Sequence, residues 1–99
     1  MPKLTSDQIK AALPSVPKWT RRGSNIVRNF EFKDFAGSMK FVNGVARAAE
    51  KANHHPDIDI RWNEVKLVLS THSEGGLTKK DFDLAGKIDT LAPQPAKKR

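Results

Sequence analysis

Asn53-His54-His55-Pro56-Asp57-Ile58-Asp59-Ile60-Arg61-Trp62-Asn63-Glu64-Val65-Lys66-Leu67-Val68-Leu69-Ser70-Thr71-His72 is the stretch on which the fold turns. Val65, Leu67, Leu69 and Thr71 alternate with Lys66, Val68, Ser70 and His72. That period of two gives a strand one apolar face and one polar face. Asp57 to Arg61 supplies a second strand-like run, with Trp62-Asn63 between the two as a turn, so the stretch reads as a hairpin. His54 and His55 stand just before it, ahead of Pro56, where a preceding helix has to end.

That helix is predicted over about Asp34 to Asn53. Phe35, Met39, Val42, Ala46 and Ala49 form one apolar stripe, and Phe41, Val45, Ala48 and Ala52 form another beside it. The combined arc covers about half the circumference, wider than the ~100° a one-sided surface helix needs, which leaves room for contact with another subunit. Further upstream, Trp19 to Arg22, Gly23-Ser24-Asn25 and Ile26 to Phe32 read as another hairpin, with Ile26, Arg28, Phe30 and Phe32 on one face. Thr5-Ser6-Asp7-Gln8 has the pattern of a capping box, flanked by Leu4 and Ile9 as a hydrophobic staple. It predicts a short helix to about Leu13, stopped by Pro14 and Pro17. Downstream, Gly75-Gly76 breaks the strand, and Leu77-Thr78-Lys79-Lys80-Asp81-Phe82 repeats the capping box and staple ahead of a last helix. The order is α-β-β-α-β-β-α. It predicts an α+β domain over residues 1–92, a four-stranded antiparallel sheet covered on one face by helices. Residues 93–99, Pro93 to Arg99, read as a flexible basic tail.

Composition narrows the functions. Ninety-nine residues suffice for one core without disulfides or metal. The absence of cysteine removes thiolate nucleophiles, disulfides and cysteine-based zinc sites. There is no apolar run long enough for a membrane span, and Met1-Pro2-Lys3-Leu4 leads into a helix signal rather than a leader peptide, so the expected compartment is the cytoplasm. A net charge of +7 points toward anionic partners, but Lys97, Lys98 and Arg99 carry three of it and the remaining bases are scattered among acids. Nucleic acid is therefore not the expected partner.

The three histidines, His54, His55 and His72, carry whatever proton chemistry is available near neutral pH, because imidazole titrates near pH ~6.5. Several roles fit. One of the pair could cap the C-terminus of the long helix. Three imidazoles could hold zinc, although neighbouring histidines seldom converge and no HExxH pair is present. A Ser-His-Asp hydrolase lacks its GxSxG elbow. Asp81 has a local task as the capping-box acid. In a small layered domain, however, element ends are where side chains from distant segments meet around a cleft. Thr71 and Ser73 would add hydroxyls beside His72, and Trp62 a flat apolar wall, a set suited to a planar polar heterocycle.

Glu50-Lys51-Ala52-Asn53-His54-His55-Pro56, Trp62-Asn63, Leu69-Ser70-Thr71-His72, and Gly76-Leu77-Thr78 with Asp81 resemble the pterin-4a-carbinolamine dehydratases. Trp19 and the Phe30-Glu31-Phe32-Lys33-Asp34-Phe35 run extend the resemblance over nearly the whole chain. It implies a cofactor-free, metal-free dehydratase that converts a 4a-hydroxytetrahydropterin to the quinonoid dihydropterin in tetrahydropterin recycling. It also implies assembly as a homodimer or homotetramer. By the same resemblance His54, His55 and His72 become catalytic and pterin-contacting residues, and Asn53, Pro56, Trp62, Ser70, Thr71, Ser73 and Asp81 become substrate contacts. Two positions depart from the family pattern: Asn53 stands where Asp is frequent, and Ser73 where Glu is frequent. A module that keeps this fold for dimerisation without catalysis is the competing expectation, and the presence of all three histidines argues for the enzyme.

Overall fold

Both hairpins form, and their turns explain where each strand ends. In the computed structural model, which describes residues 2–92, β1 (Thr20–Arg22) and β2 (Asn25–Glu31) pair antiparallel with Arg22 opposite Asn25. Only Gly23 and Ser24 remain to make the turn. Gly23 takes φ +60° at the first central position, where a two-residue type II′ turn needs a residue without a Cβ. β3 (Asp57–Arg61) and β4 (Glu64–Leu69) pair the same way across Trp62-Asn63. Central pairing of β2 with β4, Phe30 opposite Val65 and Ile26 opposite Leu69, joins the hairpins into one antiparallel sheet of order β1-β2-β4-β3. The long helix α2 (Phe35–Ala52) is the crossover that makes this order possible.

One face of the sheet is apolar and carries the helices. Ile26 and Phe30 of β2 and Val65, Leu67 and Leu69 of β4 are buried with Phe41 and Val45 of α2 and Leu84, Ala85 and Ile88 of α3 (Lys79–Leu91). The helix α1 (Ser6–Ala12) adds Ile9, and the 3-10 turn Leu13–Ser15 that follows it leads into Val16 and Trp19. The expected α-β-β-α-β-β-α order and antiparallel α+β architecture are therefore what the chain adopts. Both predicted capping boxes are present, Thr5 with Gln8 and Thr78 with Asp81. Pro14 does not stop the chain from turning but enters the 3-10 turn at its start, where the missing N–H costs nothing.

The two predicted stripes of α2 are not equally covered. Its buried residues are Ser38, Phe41, Val45 and Ala49, whereas Phe35 at the start of the other stripe is 50% exposed and Ala46 is also exposed. Part of the apolar arc is therefore left uncovered, at Phe35, Ala46 and Ala52, while Val42 and Ala48 pack partly against the core. Among the described residues no helix is long and apolar enough to cross a membrane. The expected tail, 93–99, lies outside the described residues.

One polar contact ties the first hairpin to the end of α3. Asp89 Oδ1 accepts from the buried Trp19 indole N–H at 2.8 Å and from Arg28 at 2.6 Å, and the same guanidinium lies over the Phe30 ring. Arg28 thus sits on the apolar face because its charge is answered there. Substituting Asp89→Ala leaves the indole N–H unpaired in the core. The expected cost is about 1–3 kcal/mol, read as a lower urea midpoint with an unchanged m value.

Candidate active site

The site begins where α2 stops. Asn53 adopts the left-handed conformation, φ 52° and ψ 43°, and its N–H donates to the Glu50 carbonyl, while the His54 N–H donates to that of Ala49. This is the Schellman pairing, which uses up the last helical carbonyls and reverses the chain within one residue. Asn tolerates positive φ better than most residues, which gives Asn53 a backbone reason to be what it is. After this reversal the two histidines diverge. The His54 side chain turns inward and is only 10% exposed, whereas His55 is 56% exposed and bonds the Glu50 carboxylate at 2.6 Å.

His54 meets a carboxylate prepared from the other end of the fold. Asp81, fully buried, is the third helical residue of α3, and its Oδ2 accepts from the Thr78 N–H at 2.9 Å and the Thr71 hydroxyl at 2.8 Å. Its Oδ1 accepts from His54 Nε2 at 2.6 Å. The Thr78 hydroxyl lies 2.9 Å from that of Thr71 and completes the chain of bonds. A carboxylate removed from water is tolerable only with such acceptance on both oxygens, and among the described residues no buried side-chain polar atom is left unpaired. A carboxylate at Nε2 requires the proton there, so the neutral His54 ring presents Nδ1 as its lone-pair nitrogen.

The third histidine arrives on a four-residue loop. Strand pairing lapses after Leu69, Ser70 donates its hydroxyl to the Ser24 carbonyl, and the isolated bridge between Thr71 and Gly76 closes a 3-10 turn over His72–Glu74. Gly75 ends that turn at φ +74°. The loop lifts His72 to the surface beside the end of α2. Asn53, His54, His55, Ser70, Thr71, His72, Ser73 and Lys80 line one open cleft of about 410 Å³.

The fold therefore brings the three imidazoles to a shared cavity, along with Asn53, Ser70, Thr71 and Ser73. Three expected substrate contacts are placed elsewhere. Asp81 has no exposed surface and communicates with the cleft through His54. Pro56 is half-buried beyond the lining, and Trp62, 70% exposed, caps the opposite end of the β3–β4 hairpin. Five strand residues at ~3.3 Å each carry it roughly 17 Å from the histidines. Lys80 was not among the expected residues; it faces the cleft from the first turn of α3. Its only sequence signal was its place between a cap and its acid. Among the described residues no three His, Cys, Asp or Glu side chains are grouped so that they could hold a metal ion.

Comparison with known proteins agrees with this geometry. The family model described as Pterin 4 alpha carbinolamine dehydratase matches residues 2–91. A protein of Nocardia farcinica provisionally named pterin-4-alpha-carbinolamine dehydratase is 53% identical over 90% of this chain and 94% of its own. One of the same provisional name from Acidobacterium capsulatum is 53% identical over 92% of this chain and 99% of its own. Among solved structures, the transcriptional coactivator/pterin dehydratase of Brucella melitensis superposes with TM-score 0.88 at 35% identity, covering 92% of this chain and 99% of that one. A pterin dehydratase-like RuBisCO assembly factor of the alpha-carboxysome shares the fold at TM-score 0.64 and 20% identity, over 78% of this chain and 89% of that one.

Proposed function

The chain belongs to the pterin 4 alpha carbinolamine dehydratase family, and on that premise we propose that it dehydrates 4a-hydroxytetrahydrobiopterin or a close pterin analogue by general acid–base catalysis. The observation that carries this reading is the convergence of three imidazoles on one cleft, one of them backed by a buried carboxylate. In the reaction the C4a–O bond breaks and the departing oxygen takes a proton, leaving as water. The proton on N5 is lost and the N5–H electron pair becomes the N5=C4a π bond. No electrons enter or leave, so two correctly placed proton-transfer groups suffice.

The geometry supports a division of labour. His54, its Nε2–H held by Asp81, offers Nδ1 as the base for the N5 proton, and the carboxylate behind it fixes the ring's tautomer and orientation. His72, on its exposed loop and with no protein partner on its ring among the described residues, serves as the acid for the leaving oxygen. His55, tied to Glu50, orients the pterin, and Ser70, Thr71, Ser73 and Asn53 lie within the same lining. The half-exposed Phe35 and Leu91 support assembly as a homodimer or homotetramer. The absence of cysteine suits a cytoplasmic enzyme of tetrahydropterin recycling.

The test is a stopped-flow measurement of carbinolamine decay. The protein is expected to accelerate it well beyond buffer, and an unaccelerated decay would remove the dehydratase reading. His55→Ala, which takes away a binding group and not a proton-transfer group, is expected to raise KM about tenfold, the effect of one charge-assisted hydrogen bond, with kcat within about twofold of the parent.

A further inference from the structure

A second depression lies directly behind the histidine cleft. Ala48 and Ala52 of α2 and Leu84 of α3 form its apolar floor, and Lys51, Lys80 and Lys87 stand around it in a space of about 320 Å³. Its one acid, Asp83, is already paired with Lys79 at 3.0 Å. Among the described residues Lys51, Lys80 and Lys87 have no acidic partner within 4 Å. The two depressions are not separate: His54 and Lys80 line both, so the groove between α2 and α3 is the continuation of the cleft past the proposed base.

Pterin chemistry says what should lie there. N5 is bonded to C4a on one side and to C6 on the other, and C6 carries the side chain. A group that takes the N5 proton must therefore stand where that side chain leaves the ring. If His54 is that group, the side chain passes His54 and Lys80 and enters the lysine-rimmed groove. We infer that this groove is a subsite for an anionic C6 side chain, so that the substrates this chain prefers are pterins bearing a phosphate ester there. The inference rests on the dehydratase reading and extends it to a substrate class. Three exposed ammonium groups without an acidic partner, over a short apolar floor, match a phosphate on a few carbons; a neutral side chain would leave them to water.

Binding of two unreactive fluorescent pterins tests it: neopterin and neopterin carrying a monophosphate on its side chain, each titrated by fluorescence into the intact protein at low ionic strength. The phosphate form is expected to bind roughly tenfold tighter, as one added charge-assisted contact provides. The preference should shrink with added salt and fall close to unity in K51Q/K87Q, two surface changes outside the histidine cleft. Equal affinity of the two pterins for the parent, or an undiminished preference in K51Q/K87Q, overturns the subsite while leaving the dehydratase reading standing. Failure of both pterins to bind overturns the two together.

Discussion

Substituting His54→Ala is expected to lower kcat for carbinolamine dehydration by about 10²–10⁴-fold, and His72→Ala by a similar factor, with KM little changed in either. Each removes a proton-transfer group whose contribution exists only in the transition state. Because the two act on one bond change, their losses should not add. The double variant is expected to be scarcely slower than the worse single one, its residual rate coming from binding and orientation alone. A simple product of the two losses would mean that the histidines contribute independently, and an unchanged rate in either single variant would remove that residue from the proton path. His54→Ala carries a second signature. It withdraws one of the three donors of Asp81, so its stability should fall as well, whereas the exposed His72 can be removed at little cost to the fold.

Asp81→Ala should be the most destabilising change in the site, by about 3–5 kcal/mol. It removes the acid of the α3 capping box and leaves the Thr78 N–H, the Thr71 hydroxyl and His54 Nε2 facing a buried void. Against a domain stability of about 5–15 kcal/mol, that loss brings the fold close to its margin. Asp81→Asn separates the structural task from the chemical one. The amide oxygen and nitrogen can keep most of the bonds, so the stability cost should be about 1–2 kcal/mol, while the charge that holds the His54 proton on Nε2 is gone. A folded protein with kcat reduced about 10²-fold or more and KM near the parent value identifies Asp81 as a positioning residue. Parent-like kcat in the Asn variant would make it a cap only.

What the sequence made legible follows the range of the interactions. Capping boxes are decided within four residues, and both of those expected from the sequence are present. The Trp62-Asn63 turn also forms as expected, whereas the first turn is Gly23-Ser24 alone, because Asn25 pairs with Arg22 and belongs to the strand. The strand faces were equally readable, because alternation in β4 requires nothing beyond the strand itself. His54, His55 and His72 stand at element ends, and there the fold brings them to one cleft. The link between His54 and Asp81 spans 27 positions and two elements, and no local pattern announces it. Asp81 satisfied a local rule so completely that its second duty was hidden. Trp62 is near the histidines in sequence, but a strand is straight, and five residues of it carry the ring to the other end of the hairpin.

The triple acceptance by Asp81 makes the proposed catalysis hostage to one turn of secondary structure. Helix termini fray more readily than cores melt. Each time the opening turn of α3 loosens, the imidazole behind it loses its tautomeric anchor while the sheet stays intact. Heat should therefore silence turnover some degrees before it unfolds the protein, and reversibly, so that the enzyme acts as a thermometer of its own first helical turn.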